Sequence, residues 1–477
     1  MSGAGTSRLA WLRERGMGAS ILVATITATF GVILVEATEY IGLLLRSDPF
    51  IGDSETLAVV TTILTVLLTA VAMYVAAIVT ANTFSTVIDG RARQIALMRV
   101  IGATARSERE RVAKQGFLVG VIGAVLGLAL GLGATALGIR AAERFLGAAP
   151  ENATVGHAGV LLPLLGVILT TGIAAYIGSR RVLTVTPLEA IGGAVERSRA
   201  ETVQGTARHV GAIALLVAGI ALLVLGVIAG LVTPLGVVVA FFGGILSFTA
   251  IALGATVIMP PLLRLVGRAF GGSATARMAA ENALRYPERS SRMAIGVVMG
   301  VTLVTMFAVA LESVKALIIA ASGGVLEPQM GFILDGFGTV MMALVGICAV
   351  IAGVGLVNLL TVGIVQRRRE LGLLRAIGLS NRQLRLMVLL EATHLIVTAT
   401  LTGLALGVVY GWIAAQSLLG SVTIYQEIGA PGLVIPHIPA LPLLVIAAAS
   451  ALLTLLATIA PTRLATRVTP VEALAAV

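Results

Sequence analysis

The stretch Gln366-Arg-Arg-Arg-Glu-Leu-Gly-Leu-Leu-Arg-Ala-Ile-Gly378 is a short charged segment wedged between two long apolar runs. It occurs twice. Moving back 276 positions gives Gly90-Arg-Ala-Arg-Gln-Ile-Ala-Leu-Met-Arg-Val-Ile-Gly102, with Arg367/Arg91, Arg369/Arg93, Leu371/Ile95, Arg375/Arg99, Ile377/Ile101 and Gly378/Gly102 in register. Each copy carries apolar residues at helical spacing, Leu371, Leu374 and Ile377 in one and Ile95, Met98 and Ile101 in the other. A helix so patterned lies along a surface and buries its apolar stripe. The plainer alternative is a juxtamembrane helix that only grips lipid headgroups; a matched pair favours docking to a twofold partner.

The apolar runs around these segments decide the fold class. Of 477 residues, 58% are hydrophobic and 12% charged, against about 25% charged in soluble domains. Runs of about 20 apolar residues cross a bilayer as helices. The sequence predicts an all-α integral membrane protein with ten spans, near 17–40, 56–86, 116–139, 159–179, 210–231, 234–259, 293–318, 336–364, 393–419 and 440–460. With the N-terminus cytoplasmic, 29 of the 33 Lys and Arg fall on the inner side, leaving Arg46, Arg140, Arg144 and Lys315 near outer ends. That bias places both termini in the cytoplasm. It also accounts for the net charge of +10 as a surface facing anionic lipid and cytosolic partners rather than nucleic acid. The first run is longer than the apolar core of a secretory signal and is expected to be a genuine span.

The offset of 276 extends beyond the charged helices. It superposes the first span on the seventh, Glu36 on Glu312, Glu39 on Lys315, Asn82 on Asn358, and Gly127-Leu-Ala-Leu-Gly131 on Gly403-Leu-Ala-Leu-Gly407. After the ninth span the offset becomes 283, and Val185-Thr-Pro-Leu-Glu-Ala-Ile191 meets Val468-Thr-Pro-Val-Glu-Ala-Leu474. Residues 1–195 and 266–477 are thus expected to be parallel four-span repeats, the arrangement that builds a pseudo-symmetric transporter around a central interface. Residues 196–265 are a linker and a two-span hairpin, read as a peripheral element facing lipid. The basic stretch Arg264–Arg292 is expected to be helical between Ala274 and Arg285.

Chemistry of the chain's own is not indicated. A P-loop needs Gly-x-x-x-x-Gly-Lys-Ser/Thr, and the two lysines, Lys114 and Lys315, are followed by Gln and Ala. His157, His209, His394 and His437 have no metal-ligand spacing, and the single Cys348 is a packing residue inside a span. Ionisable groups inside spans are functional candidates by default, which singles out Glu36, Glu39, Glu312 and Lys315. Around a pseudo-twofold axis Glu39 and Lys315 would pair to close an outer gate, with Glu36 and Glu312 facing a cavity. The alternative is that all four touch interfacial water. Asn82 and Asn358 are read as helix-packing residues, as are the paired glycines.

The paired Arg-x-Arg-Glu/Gln-x-x-x-x-Arg-x-x-Gly helices and the closing Thr-Pro-x-Glu-Ala resemble the FtsX-like, or MacB-like, permease family of ABC transporters. The ten-span, two-module layout is similar to the antimicrobial-peptide-resistance permeases. The resemblance implies a non-catalytic permease of type VII, driven by a separate nucleotide-binding subunit, bound in two copies, that holds ATP and Mg. It implies that the surface helices are coupling helices, so that Arg91, Arg93, Gln94, Arg99 and Gly102, and Arg367, Arg369, Glu370, Gly372, Arg375 and Gly378, contact the ATPase. Gln94 stands where the family has an acid, which would make the two docking sites unequal. Family members carry a folded outer domain between the first two spans of a module. Here the loops, about 46–55 and 322–335, are too short to fold alone. The expected cargo is therefore hydrophobic or amphiphilic, a peptide, lipid or antibiotic, exported or extracted at the cell membrane, with a place left open for an accessory extracytoplasmic protein. Two readings stand beside this one: a proton-coupled secondary transporter using Glu36, Glu39 and Glu312, and a non-transporting signalling subunit.

Overall fold

The computed structural model describes residues 17–46, 104–146, 155–179, 206–270, 274–285, 287–321, 378–421 and 432–449, with isolated positions between 62 and 98 and at 331, 338, 373, 451 and 452. Every regular element among them is helical, and seven helices are long and apolar enough to cross a membrane. They match the expected first, third, fourth, fifth, sixth, seventh and ninth spans. The expected spans 56–86 and 336–364, and most of 440–460, fall on residues outside the description. The chain divides into two compact units, Met1–Val195 and Glu196–Val477.

In the first unit, α1 (Met17–Arg46), α2 (Ala105–Leu146) and α3 (Leu161–Gly178) pack side by side. Lipid tails are as apolar as leucine, so burial alone does not drive helices together in a membrane; close packing does. Gly123, Gly127 and Gly131 of α2 recur every fourth residue, and their missing side chains admit Ala24, Ala28 and Val32 of α1. Val119, Val167 and Ala175 complete the core. At 42 residues, α2 is about 63 Å long at 1.5 Å per residue, roughly twice the hydrocarbon thickness. Both its ends are accordingly charged. Near its start, Arg109 stacks 3.8 Å over the Tyr176 ring and donates to Ser179 Oγ, tying α2 to the end of α3.

The second unit holds α4 (Thr206–Gly230), α5 (Gly236–Gly267), α6 (Ala274–Arg285), α7 (Pro287–Ala321), α8 (Asn381–Leu419) and the short α9 (Ala440–Ala449). The centre is the α7–α8 pair, in which Gly403, Gly407 and Gly411 admit Val301, Thr305 and Val309. The hairpin α4–α5 departs from the lipid-facing appendage expected of it. Helix α4 does present an apolar outer face that includes Val210, Ile213, Val217 and Val224. Helix α5, however, packs on both α7 and α8, with Ser247 Oγ 2.9 Å from Tyr410 Oη and Ser291 Oγ donating to the Ala255 carbonyl. The cause is the run of small residues along α5, Ala240, Gly243, Ser247, Ala250, Gly254 and Ala255, all buried. Such residues let backbones approach closely enough for these hydrogen bonds.

Hydroxyls inside these apolar helices are mostly satisfied locally. Thr27, Thr29 and Thr38 donate to the carbonyls four residues earlier, as do Ser313 and Thr398.

Candidate functional site

Most of the coupling residues read from the sequence, Arg91, Arg93, Gln94, Arg99, Gly102, Arg367, Arg369, Glu370, Gly372 and Arg375, lie outside the described residues. The structure does define where each segment ends. After the second copy, Gly378 has φ +110, the left-handed turn that closes a helix. Ser380 then caps α8: its side chain accepts from Gln383 N–H while the Gln383 carboxamide accepts from Ser380 N–H, a reciprocal capping box. At the matching place before α2, Thr104 Oγ1 accepts from Ser107 N–H, and Ser107 Oγ donates back to the Thr104 carbonyl. Leu97 and Leu373, 276 positions apart, are helical and 54% and 51% exposed. Apolar side chains so placed on both copies are available for a partner surface.

The four ionisable residues singled out in the spans have different surroundings. Glu36 is 3% exposed and accepts from the Gly156 N–H at 3.0 Å. His157 Nδ1 lies 3.2 Å from the same oxygen but is not aligned as a hydrogen bond, so the contact is electrostatic and full only when the imidazole is protonated. Gly156, at φ +93, supplies the left-handed turn that brings its N–H to the carboxylate. Glu36 thus clasps the loop that enters α3. Glu39, three residues on, is exposed, while Glu312 and Lys315 are half-buried on α7.

Helix register alters which of these residues correspond. In the first unit Gly127 meets Ala28 Cβ and the Thr25 carbonyl; in the second its counterpart Gly403 meets Val301 Cβ and the Val298 carbonyl. The local contact is the same, yet the partner of each glycine is displaced by three residues from the offset of 276. The first helix of the second unit has slid by about 4.5 Å, close to one turn. In packed register Glu39, not Glu36, corresponds to Glu312.

Two polar clusters in the second unit escaped the sequence reading. Near the start of α8, Asn282 on α6 donates to Glu391, and the buried His394 Nε2–H donates to the Leu263 carbonyl of α5 at 2.6 Å. These bonds fasten the expected surface helix α6 to α5 and α8, over a seam of Ala279, Leu384, Met387 and Val388. Arg277, Glu281 and Arg285 form the exposed face of α6. Toward the other end of α8, Trp412 and Gln416 hold the segment Gly432–His437. Trp412 Nε1–H donates to the Val434 carbonyl at 2.9 Å, Gln416 donates to the Gly432 carbonyl, and Val434 N–H donates to Gln416 Oε1 at 2.7 Å. His437 N–H donates to Ser313 Oγ of α7 at 3.1 Å. The signal that would have found this cluster is Gln416 itself, a carboxamide within an apolar run. Among the described residues no group of three or more His, Cys, Asp and Glu is placed to hold a metal.

A family model described as FtsX-like permease C-terminal matches residues 57–187 and, a second time, residues 342–470. Each match encloses one Arg-rich segment. The chain is also similar to the macrolide export ATP-binding/permease protein MacB of Rhodopirellula baltica, 27% identical over 119 residues, which are 23% of this chain and 17% of that protein. It is similar to the MacB of Bdellovibrio bacteriovorus, 35% identical over 83 residues, 17% of this chain and 13% of that one. The aligned stretches span less than a fifth of either relative.

Proposed function

The chain belongs to the FtsX-like permease family, and from that premise we propose that it is the membrane subunit of an ABC transporter, moved by ATP hydrolysis in a separate nucleotide-binding subunit. The observation that carries the reading is the double family match, each copy enclosing an Arg-rich segment with the helical cap of a long span directly behind it. In this reading the chain supplies two four-span modules and a central hairpin, ten spans in all, with both termini in the cytoplasm of a cell membrane. Arg91, Arg93, Gln94, Arg99 and Gly102, and Arg367, Arg369, Glu370, Gly372, Arg375 and Gly378, dock two copies of the ATPase, which hold ATP and Mg. The permease itself performs no chemistry.

The names of the relatives, macrolide export proteins that bind ATP, favour export of an amphiphilic compound. The short loops predicted between spans favour cargo that enters from the bilayer. Glu39 and Lys315 are the proposed outer gate. The proton-coupled alternative is weakened by Glu36, whose carboxylate is already engaged by Gly156.

The test is to purify the full chain from its native membrane in mild detergent and quantify what accompanies it. About two ATPase copies per chain are expected, lost when Arg99 and Arg375 are both changed to Glu; a charge reversal at a desolvated contact weakens binding by several kcal/mol. Recovery of the chain without any nucleotide-binding protein, together with transport driven by a proton gradient alone, would overturn the reading.

A further inference from the structure

The segment Gly432–His437 is extended and has two edges. In an extended strand, alternate residues turn their main-chain groups to opposite sides. The Gly432 carbonyl and both main-chain groups of Val434 are taken by Gln416 and Trp412 of α8, and Val434 is 2% exposed. Leu433 and Ile435 therefore turn their N–H groups the other way. Neither N–H has a hydrogen-bond partner among the described residues. The Leu433 and Ile435 side chains are 57% and 67% exposed. Pro436 keeps Ile435 in extended backbone, and because Pro436 has no N–H, it asks nothing of the occupied edge. One side of the segment is thus fixed, and the other is held open in strand geometry with two apolar side chains beside it.

The geometry points to a peptide-binding edge: Leu433 and Ile435 accept an extended, apolar polypeptide segment as a neighbouring strand, through main-chain hydrogen bonds and side-chain contact. The choice of occupant follows from the donors. A lipid acyl chain covers apolar side chains but offers no acceptor to the two N–H groups, whereas an extended peptide presents carbonyls at the strand repeat and can cover both. The proposal rests on the transporter reading in that it names peptides among the amphiphilic cargo, and the site lies against the helix ends of α7 and α8, where Ser313 and Gln416 anchor it.

The experiment places the photocrosslinker p-benzoylphenylalanine at Leu433 of the full chain in lipid nanodiscs. The probe is a short peptide of alternating valine and lysine, compared with the same peptide N-methylated on alternate residues. Loss of two backbone hydrogen bonds is expected to lower crosslinking by about tenfold, and Gln416→Ala, which releases the fixed edge, is expected to lower it similarly. Equal crosslinking by both peptides would reduce the site to apolar adhesion and overturn the proposal. Crosslinking to lipid in place of peptide would also overturn it, by placing the edge against acyl chains. ATPase copurification is scored on the same preparations: peptide capture without an ATPase keeps this site and removes the transporter reading, and the reverse result removes the site alone.

Discussion

The two units secure the segment that enters a membrane helix in opposite ways. In the first, one buried carboxylate, Glu36, reaches from α1 to the Gly156 N–H and the His157 ring. In the second, neutral groups divide that role among Ser313 from α7 and Trp412 and Gln416 from α8. A single buried charge concentrates the stabilisation in one residue and makes its loss expensive, because a charged acceptor forms stronger hydrogen bonds and leaves its partners buried when removed. A distributed set of neutral bonds tolerates the loss of any one. The first clasp thus behaves as a pin and the second as a strap, although both close equivalent places in the chain.

The largest effect that sharpens this comparison concerns the helix pairs beneath the clasps. Gly127→Val and Gly407→Val would each drive a branched side chain into the opposing backbone, and each is expected to destabilise its unit by about 3 kcal/mol or more. Thermal unfolding of the detergent-solubilised chain reads this directly. If either variant melts with the parent, the glycine seams are not what joins the helices, and the common scaffold assumed for the two clasps falls.

Next comes the clasp itself. Glu36→Ala is expected to destabilise by about 1–3 kcal/mol and Ser313→Ala by about 0.5–1.5 kcal/mol. Hydrogen exchange at the Gly156 and His437 amides distinguishes the two. Equal loss of protection would break the distinction between pin and strap. Glu36→Gln keeps an acceptor for Gly156 and is expected to preserve protection there while abolishing any effect of His157→Ala.

The smallest effect is at the caps that follow the coupling segments. Ser380→Ala removes both halves of a reciprocal box and is expected to weaken the first turn of α8 by about 1 kcal/mol. Thr104→Ala is expected to act on α2 to a similar or lesser degree, since Ser107 can still bond the Thr104 carbonyl. Exchange rates in the first turns of the two helices decide the ranking.

Much of this architecture is written in local patterns. The seven apolar helices, the surface helix Ala274–Arg285 and the helix starts at Thr104 and Ser380 follow from hydropathy, amphipathic spacing and capping residues, all of which act over a few neighbouring positions. The glycine repeats announced close helix pairs for the same reason. What they did not announce was partner register. Small residues on α2 and α8 can seat any residue of the facing helix that recurs every fourth position, so the slide that sets Glu39 opposite the place of Glu312 was invisible to an alignment of letters. The role of Glu36 was equally hidden: its partner, Gly156, is 120 residues away in sequence.

The amino-acid sequence by itself determined that the chain lives in a membrane, that its basic residues gather on one side, and that it carries a duplicated Arg-rich segment of the FtsX-like kind. Each of these depends on composition or on short-range periodicity. Only the tertiary structure decided that α5 lies against α7 and α8 rather than at the lipid boundary, that a carboxylate clasps one unit and neutral groups the other, and that Leu433 and Ile435 are left with an open edge. Those outcomes turn on which surfaces fit at contact distance, and in a bilayer, where burial favours no helix face over another, fit is what selects among them.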